Sequence, residues 1–259
     1  MPVETPATKP KVALFDFTSC EGCQLTILDT LQTHPELLDV IDIVEFREAM
    51  TGKSESYDIA IIEGSCTRPS DEPRLQDIRE RARLAVALGA CAHLGGINAI
   101  RNQQEPGAVR RYVYAEHAEW YETYAPRPIS AVIKVDAIIP GCPIDRKEFV
   151  RSVSALLQGR LPRLPEYAVC QECKLRGTIC RYMRGEMCLG PISRGGCQAI
   201  CPAYGFTCVG CRGLLSQPNL VGLQAVMIAH GLSAESAQDR LTMFLTNQTS
   251  PVAREALHV

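Results

Sequence analysis

The residues best suited to chemistry here are cysteines, thirteen in 259 residues, and their spacing is patterned. Cys20 and Cys23 form a CxxC pair, and Cys66, Cys91 and Cys142 follow singly. Eight more crowd into residues 170–211: CxxC at Cys170 and Cys173, single thiols at Cys180 and Cys188, CxxxC at Cys197 and Cys201, CxxC at Cys208 and Cys211. Disulfides, zinc and iron–sulfur clusters all use thiols at such density. The amino-terminal "MPVETPATKPK" has neither the apolar stretch nor the twin arginine of an export signal, so a cytoplasmic chain is expected. Structural disulfides are rare in that reducing compartment, and the odd cysteine count agrees. Metal or redox chemistry remains.

Elements of the first half would have to bring these thiols together. Residues 11–17, 40–46, 57–64, 84–90 and 131–141 are short apolar runs that read as strands. Between them, residues 24–34 carry Leu25, Leu28 and Leu31 on one helical face. Ser70 and Asp71 offer capping side chains to a helix through residues 73–83, and residues 144–159 read as a further helix stopped by Gly159. This alternation predicts an α/β, doubly wound parallel sheet resembling a flavodoxin-like fold. Residues 102–128, with three prolines and several tyrosines around Trp120, read as an insertion of little regular structure. Cys20, Cys23, Cys66, Cys91 and Cys142 each follow a strand. In a parallel sheet the carboxyl ends of the strands share one edge, so distant residues meet there. Four thiolates converging on that edge can hold one 4Fe–4S cluster. A single CxxC could instead be a thioredoxin-like pair, but that does not call for Cys91 and Cys142.

Pro162 and Pro165 mark a linker, giving expected domains of 1–160 and 161–259. Residues 170–211 hold seven glycines and little apolar periodicity, so this segment is not expected to build a core of its own and must be organised by something else. Taken in order, its cysteines divide into Cys170, Cys173, Cys180, Cys188 and Cys197, Cys201, Cys208, Cys211. Zinc uses paired CxxC motifs too. Gly190, Gly195, Gly196, Gly205 and Gly210 lean towards iron–sulfur, because they let backbone N–H groups approach cluster sulfurs. Residues 166–216 carry six basic against three acidic side chains, which suits anionic metal–thiolate groups of either kind. Two amphipathic helices are expected at residues 219–231 and 235–247. The net charge of −2 gives no reason to expect nucleic acid or an acidic membrane, and no apolar run reaches membrane-spanning length.

"CEGCQLTILD", "EGS", "LGACAHLGGINAIR", "PGCPID" and "CQEC…C…CLGPISRGGC…CVGCRG" together resemble the small subunit of nickel–iron hydrogenases. That resemblance implies three 4Fe–4S clusters. Cys20, Cys23, Cys91 and Cys142 would hold the proximal one, beside the nickel–iron site of a large subunit. Cys170, Cys173, Cys180 and Cys188 would hold the distal cluster, and Cys197, Cys201, Cys208 and Cys211 the medial one. Membrane-linked relatives have histidine where Cys170 stands and commonly proline at Cys201. Both differences resemble cytoplasmic hydrogenases linked to NAD(P) or to a heterodisulfide reductase, so an electron-exchanging flavoprotein or iron–sulfur subunit is the implied further partner. Every CxxC is taken by a cluster, so the chain is not expected to activate hydrogen alone. A cluster subunit resembling that of respiratory complex I is a rival, but it has adjacent cysteines near its amino end and no eight-cysteine extension. A zinc-stabilised binding module is the rival of another class.

Four residues lie beside this pattern. Cys66 shares the sheet edge and reads as a packed thiol that approaches the proximal set. Glu21, between the first two cysteines, is a candidate proton relay, and Glu63 a hydrogen-bonding group near the same site. His93 reads as packing or a donor, not a ligand.

Overall fold

A computed structural model describes residues 8–248 of the chain; the first seven residues of the amino-terminal stretch lie outside the described residues. Five strands, β1 (Lys11–Asp16), β2 (Asp42–Phe46), β3 (Tyr57–Glu63), β4 (Ala82–Leu88) and β5 (Ala137–Ile139), form one sheet in the order β2-β1-β3-β4-β5. Every pair is parallel. This is the flavodoxin-type order, which reverses direction between β1 and β3 and opens a crevice at their carboxyl ends.

Alternation along the strands sorts the side chains to two faces. Val12, Leu14, Ile59, Ile61, Val86 and Leu88 meet Ile27 of α1 (Gly22–Thr33) and Leu37 of α2 (Leu37–Val40) on one face. Ala13, Phe15, Ala60, Ile62, Ala85 and Ala87 meet Leu75 and Ile78 of α3 (Asp71–Arg81), with Ala92 of α4 (Gly89–Leu94), on the other. Ser70 makes no side-chain cap to α3. Asp71 braces the turn instead, its carboxylate accepting from the N–H groups of Thr67 and Arg68 at 3.0 Å each.

Two expectations need correction. The last strand shrinks to three residues, because a 3-10 segment at Ile129–Ala131 takes its first residue and residues 132–136 follow as turn and irregular backbone. The proline-marked insertion carries regular structure: α5 (Pro106–Tyr114) and a 3-10 turn at Ala115–Trp120. Glu105 caps α5 by accepting from Gly107 and Ala108, and Pro106 takes the first-turn position where its missing N–H costs nothing. Proline here starts a helix rather than forbidding one.

Beyond β5, α6 (Arg146–Leu157) packs Phe149, Val153 and Leu156 against the first face, capped by Asp145, which accepts from the N–H of Glu148 at 2.8 Å. The cysteine-rich segment follows with α7 (Val169–Leu175), α8 (Ile200–Ala203), α9 (Leu220–Ala229) and α10 (Ala234–Phe244). It is not coreless. Val169, Tyr182, Leu189 and Ile192 are buried together with Leu223 and Met227 of α9, Leu241 and Phe244 of α10, and Ala90 and Leu94 of α4. The tail and the first half supply the apolar surface that residues 170–211 lack. Among the described residues no helix is long and apolar enough to cross a membrane.

Candidate metal centres

All thirteen cysteines are free thiols. Cys20 and Cys23 stand at the entrance to α1, Cys91 inside α4 just past β4, and Cys142 just past β5. Glu63, the last residue of β3, is 2 % exposed and accepts from the N–H groups of Cys23 (3.2 Å) and Gln24 (3.1 Å). It thereby does what a local N-cap does, satisfying open donors of α1 with a negative charge at the positive helix end. Glu21 occupies the N-cap position in a left-handed conformation without a side-chain cap. Its carboxylate lies 4.0 Å from the exposed Arg47 guanidinium, and burial beside Glu48 raises its pKa.

These four thiols feel one another. Burial pushes Cys91 up to about 12, and the charges of Cys142, Glu63 and Cys20 act in the same direction. Cys23 is raised likewise, first by burial and then by Glu63. As bare groups Cys23 and Cys91 stay protonated at neutral pH, and a cationic group is what would let them ionise. Gly89 makes room for them. A Cβ there would stand 2.5 Å from Cys23 Sγ, and its φ of +76° is a conformation that side chains resist. Gly89→Ala is therefore expected to cost about 1–2 kcal/mol in backbone strain and to displace Cys23. Iron bound per chain should fall by one cluster's content, with a lowered melting temperature.

The eight thiols of residues 170–211 separate into two cavities. One of about 180 Å³ is lined by Cys197, Cys201, Cys208 and Cys211, with Cys142 at its wall. The other, of about 90 Å³, is lined by Cys170, Cys173, Cys180 and Cys188. The glycine that fits the second is Gly190, where a Cβ would press within 3.2 Å of Cys170 Sγ and 3.5 Å of Cys188 Sγ. Burial raises Cys170 to about 12 and Cys173 to about 11, with neighbouring cysteines adding to both. Cys211 is raised to about 12 by burial and then by Cys197, Cys142 and Cys201. Among the described residues no three His, Cys, Asp or Glu side chains close on a point that a single metal ion would fill. The thiols instead surround spaces, a donor set that suits a many-atom, thiolate-ligated group.

The three groups also touch in a definite order. Cys142 joins the first to the larger cavity, and the N–H of Cys208 donates to Cys188 Sγ at 3.2 Å, joining that cavity to the smaller one. The group latest in sequence thus lies between the other two. Arg212, next to Cys211, crosses the same junction. It donates to both Glu148 carboxylate oxygens (2.6 and 2.7 Å), to the carbonyl of Gly195 (2.7 Å) and to that of Pro140 (3.1 Å).

Cys66 does not join any group. It is fully buried on the other face of the sheet, its sulfur 2.6 Å from the Tyr124 hydroxyl and its backbone paired with Arg127. His93 is half-buried beside Gly213, and burial, with Arg194 and Arg212 nearby, lowers its pKa to about 4. Trp120 is 73 % exposed, its ring 4.1 Å from that of His117 and tilted by 34°. Sequence reasoning missed Glu148, Arg212 and Glu172. Their signal is weak in sequence because a buried charge is recognised by its partner, which lies far along the chain.

Residues 20–156 match the family described as NADH ubiquinone oxidoreductase, 20 Kd subunit. That match starts after β1 and ends before Cys170, so it covers four of the five strands but none of the cysteines of residues 170–211. Sulfhydrogenase 2 subunit delta of Pyrococcus furiosus is 36 % identical over 84 % of this chain and 92 % of its own length. This chain belongs to the nickel–iron hydrogenase small subunits. A subunit of the F420-non-reducing hydrogenase vhu of Methanocaldococcus jannaschii, another member, is 30 % identical over 90 % of this chain and 92 % of its own. Among solved structures, an NAD+-reducing [NiFe]-hydrogenase in the H2-reduced state matches 61 % of this chain and 96 % of that chain, with a TM-score of 0.53 at 26 % identity. Hydrogenase small subunits of this family carry iron–sulfur clusters, and they are parts of oxidoreductases rather than binding modules.

Proposed function

We propose that this small subunit works in the cytoplasm as the electron relay of a nickel–iron hydrogenase. It passes electrons between the nickel–iron site of a partner large subunit and a further redox partner, a flavoprotein or iron–sulfur subunit. Three 4Fe–4S clusters would occupy the sites described: Cys20, Cys23, Cys91 and Cys142 at the proximal end, Cys197, Cys201, Cys208 and Cys211 in the middle, Cys170, Cys173, Cys180 and Cys188 at the distal end. Residues 1–160 form the unit that holds the first, and residues 161–259 the unit that holds the others. Each cluster would supply a centre that gains and loses one electron.

The observation that carries this reading is the sorting of twelve thiols into three adjoining groups. Electron transfer needs centres close together, and a zinc-stabilised module does not need its metal sites in line. The chain's own residues hold the thiols in place, shield Cys23, Cys188 and Cys208 from water and offset thiolate charge. Arg212 does the last of these between the first and middle groups, and the Cys208 N–H group does it at Cys188 Sγ.

Purified without oxygen, the protein should contain about twelve iron atoms and as many acid-labile sulfides, from four of each per cubane cluster. A colourless protein holding zinc and no sulfide would overturn the reading.

A further inference from the structure

Glu172 sits between the two ligands of the "CQEC" motif, yet its carboxylate serves a different group of thiols. It is buried, accepts from the N–H groups of Gly196 (2.7 Å) and Ala199 (3.0 Å), and lies 3.9 Å from Cys197 Sγ. The Tyr167 hydroxyl donates to it at 3.2 Å. The loop it grips is strained: Gln198 and Ala199 are consecutive non-glycine residues at φ +56° and +49°. Left-handed backbone of this kind costs about 1–2 kcal/mol per residue and persists only where the surroundings hold it. Here the holding group is a carboxylate in the loop's own N–H cradle, with Arg176 donating to the Gln198 carbonyl from outside at 2.8 Å.

We propose that Glu172 is a positioning residue for the middle centre: it fixes the Cys197 loop and, by its charge, makes that centre harder to reduce. A buried negative charge beside a redox group opposes the arrival of an electron, and low local polarity strengthens the effect. Arg212 lines the same cavity, with Cys197 and Cys211. Two buried elements thus bear on the middle potential, the Glu172 carboxylate and the Arg212–Glu148 ion pair. Because Glu172 belongs to the helix that carries Cys170 and Cys173, the same side chain ties the geometry of the distal site to the potential of the middle one.

This inference rests on the cluster assignment proposed above. Iron and sulfide content of the wild-type complex is therefore measured first; its absence would sink that assignment rather than the role of Glu172. Redox titration followed by electron paramagnetic resonance then compares the wild-type complex with Glu172→Gln, which keeps size and removes charge, and Glu172→Asp, which keeps charge. The middle signal is identified as the one altered by substitution of Cys201. Glu172→Gln should raise the middle midpoint, relative to the other two, enough to change its reduced-to-oxidised ratio at least tenfold, which is about 59 mV for one electron. Loss of the middle signal in Glu172→Gln with its retention in Glu172→Asp would support the same role, since charge would then be what holds the loop. An unchanged midpoint, an equal shift of all three, or loss of the signal in both variants would overturn the proposal.

Discussion

Replacing Arg212 with methionine is expected to cost about 3–5 kcal/mol of stability, the loss that follows when one partner of a buried ion pair is removed. The Arg212 and Glu148 side chains are 2 % and 9 % exposed, and the pair is bidentate. Methionine would leave the Glu148 carboxylate buried without its cation and strand the carbonyls of Gly195 and Pro140. Domains of this size are stable by about 5–15 kcal/mol in total, so the variant should unfold at a much lower denaturant concentration. A second variant separates charge from shape. Arg212→Met combined with Glu148→Leu removes both charges, and buried pairs replaced by apolar residues commonly recover most of the loss. If the single variant unfolds within about 1 kcal/mol of the wild type, the pair is not the clamp described here.

Cys201→Pro is expected to remove one iron from the middle centre and leave a three-iron cluster with its own electron paramagnetic resonance signal. Cys201 belongs to the first turn of α8, a four-residue helix, where proline is best tolerated. Its carbonyl, which accepts from Tyr204 and Phe206, would survive the change. Cys201→Ala serves as the companion that leaves the backbone untouched. Both should hold about eleven irons instead of twelve, from four per intact cluster. Absence of a three-iron signal from both, with iron content unchanged, would mean that Cys201 is not a ligand and that the grouping of the last four thiols is wrong.

Much of the scaffold was legible because its signals are local. Apolar runs of strand length, helix faces and the CxxC spacings all lie within about ten residues of chain. The tail helices came within a few residues of the observed α9 and α10, which Asn219 and Ser233 cap. The errors arose where partners are distant. Cys66 is packed, as expected, but it does not approach the proximal set, although it too stands just past a strand. Pairing with Arg127 and contact with Tyr124, some sixty residues on, turn it to the opposite face. Glycine and cysteine content made residues 170–211 look coreless, since the side chains that cover Leu189 and Ile192 come from α4, α9 and α10.

Sequence alone determined which residues are available as ligands, because a CxxC turn brings two thiols together whatever surrounds it. It determined the sheet as well, since alternating strand and helix patterns admit few parallel arrangements. Only the tertiary structure decided how the thiols are ordered in space. The middle group is the last in the chain because the polypeptide folds back after Cys188. That return is held by contacts between residues far apart: Arg212 with Glu148, Cys208 with Cys188, and the Gly196–Ala199 N–H cradle with Glu172. Buried charge and closed cavities exist only once both walls are present, so no stretch of sequence read by itself contains them.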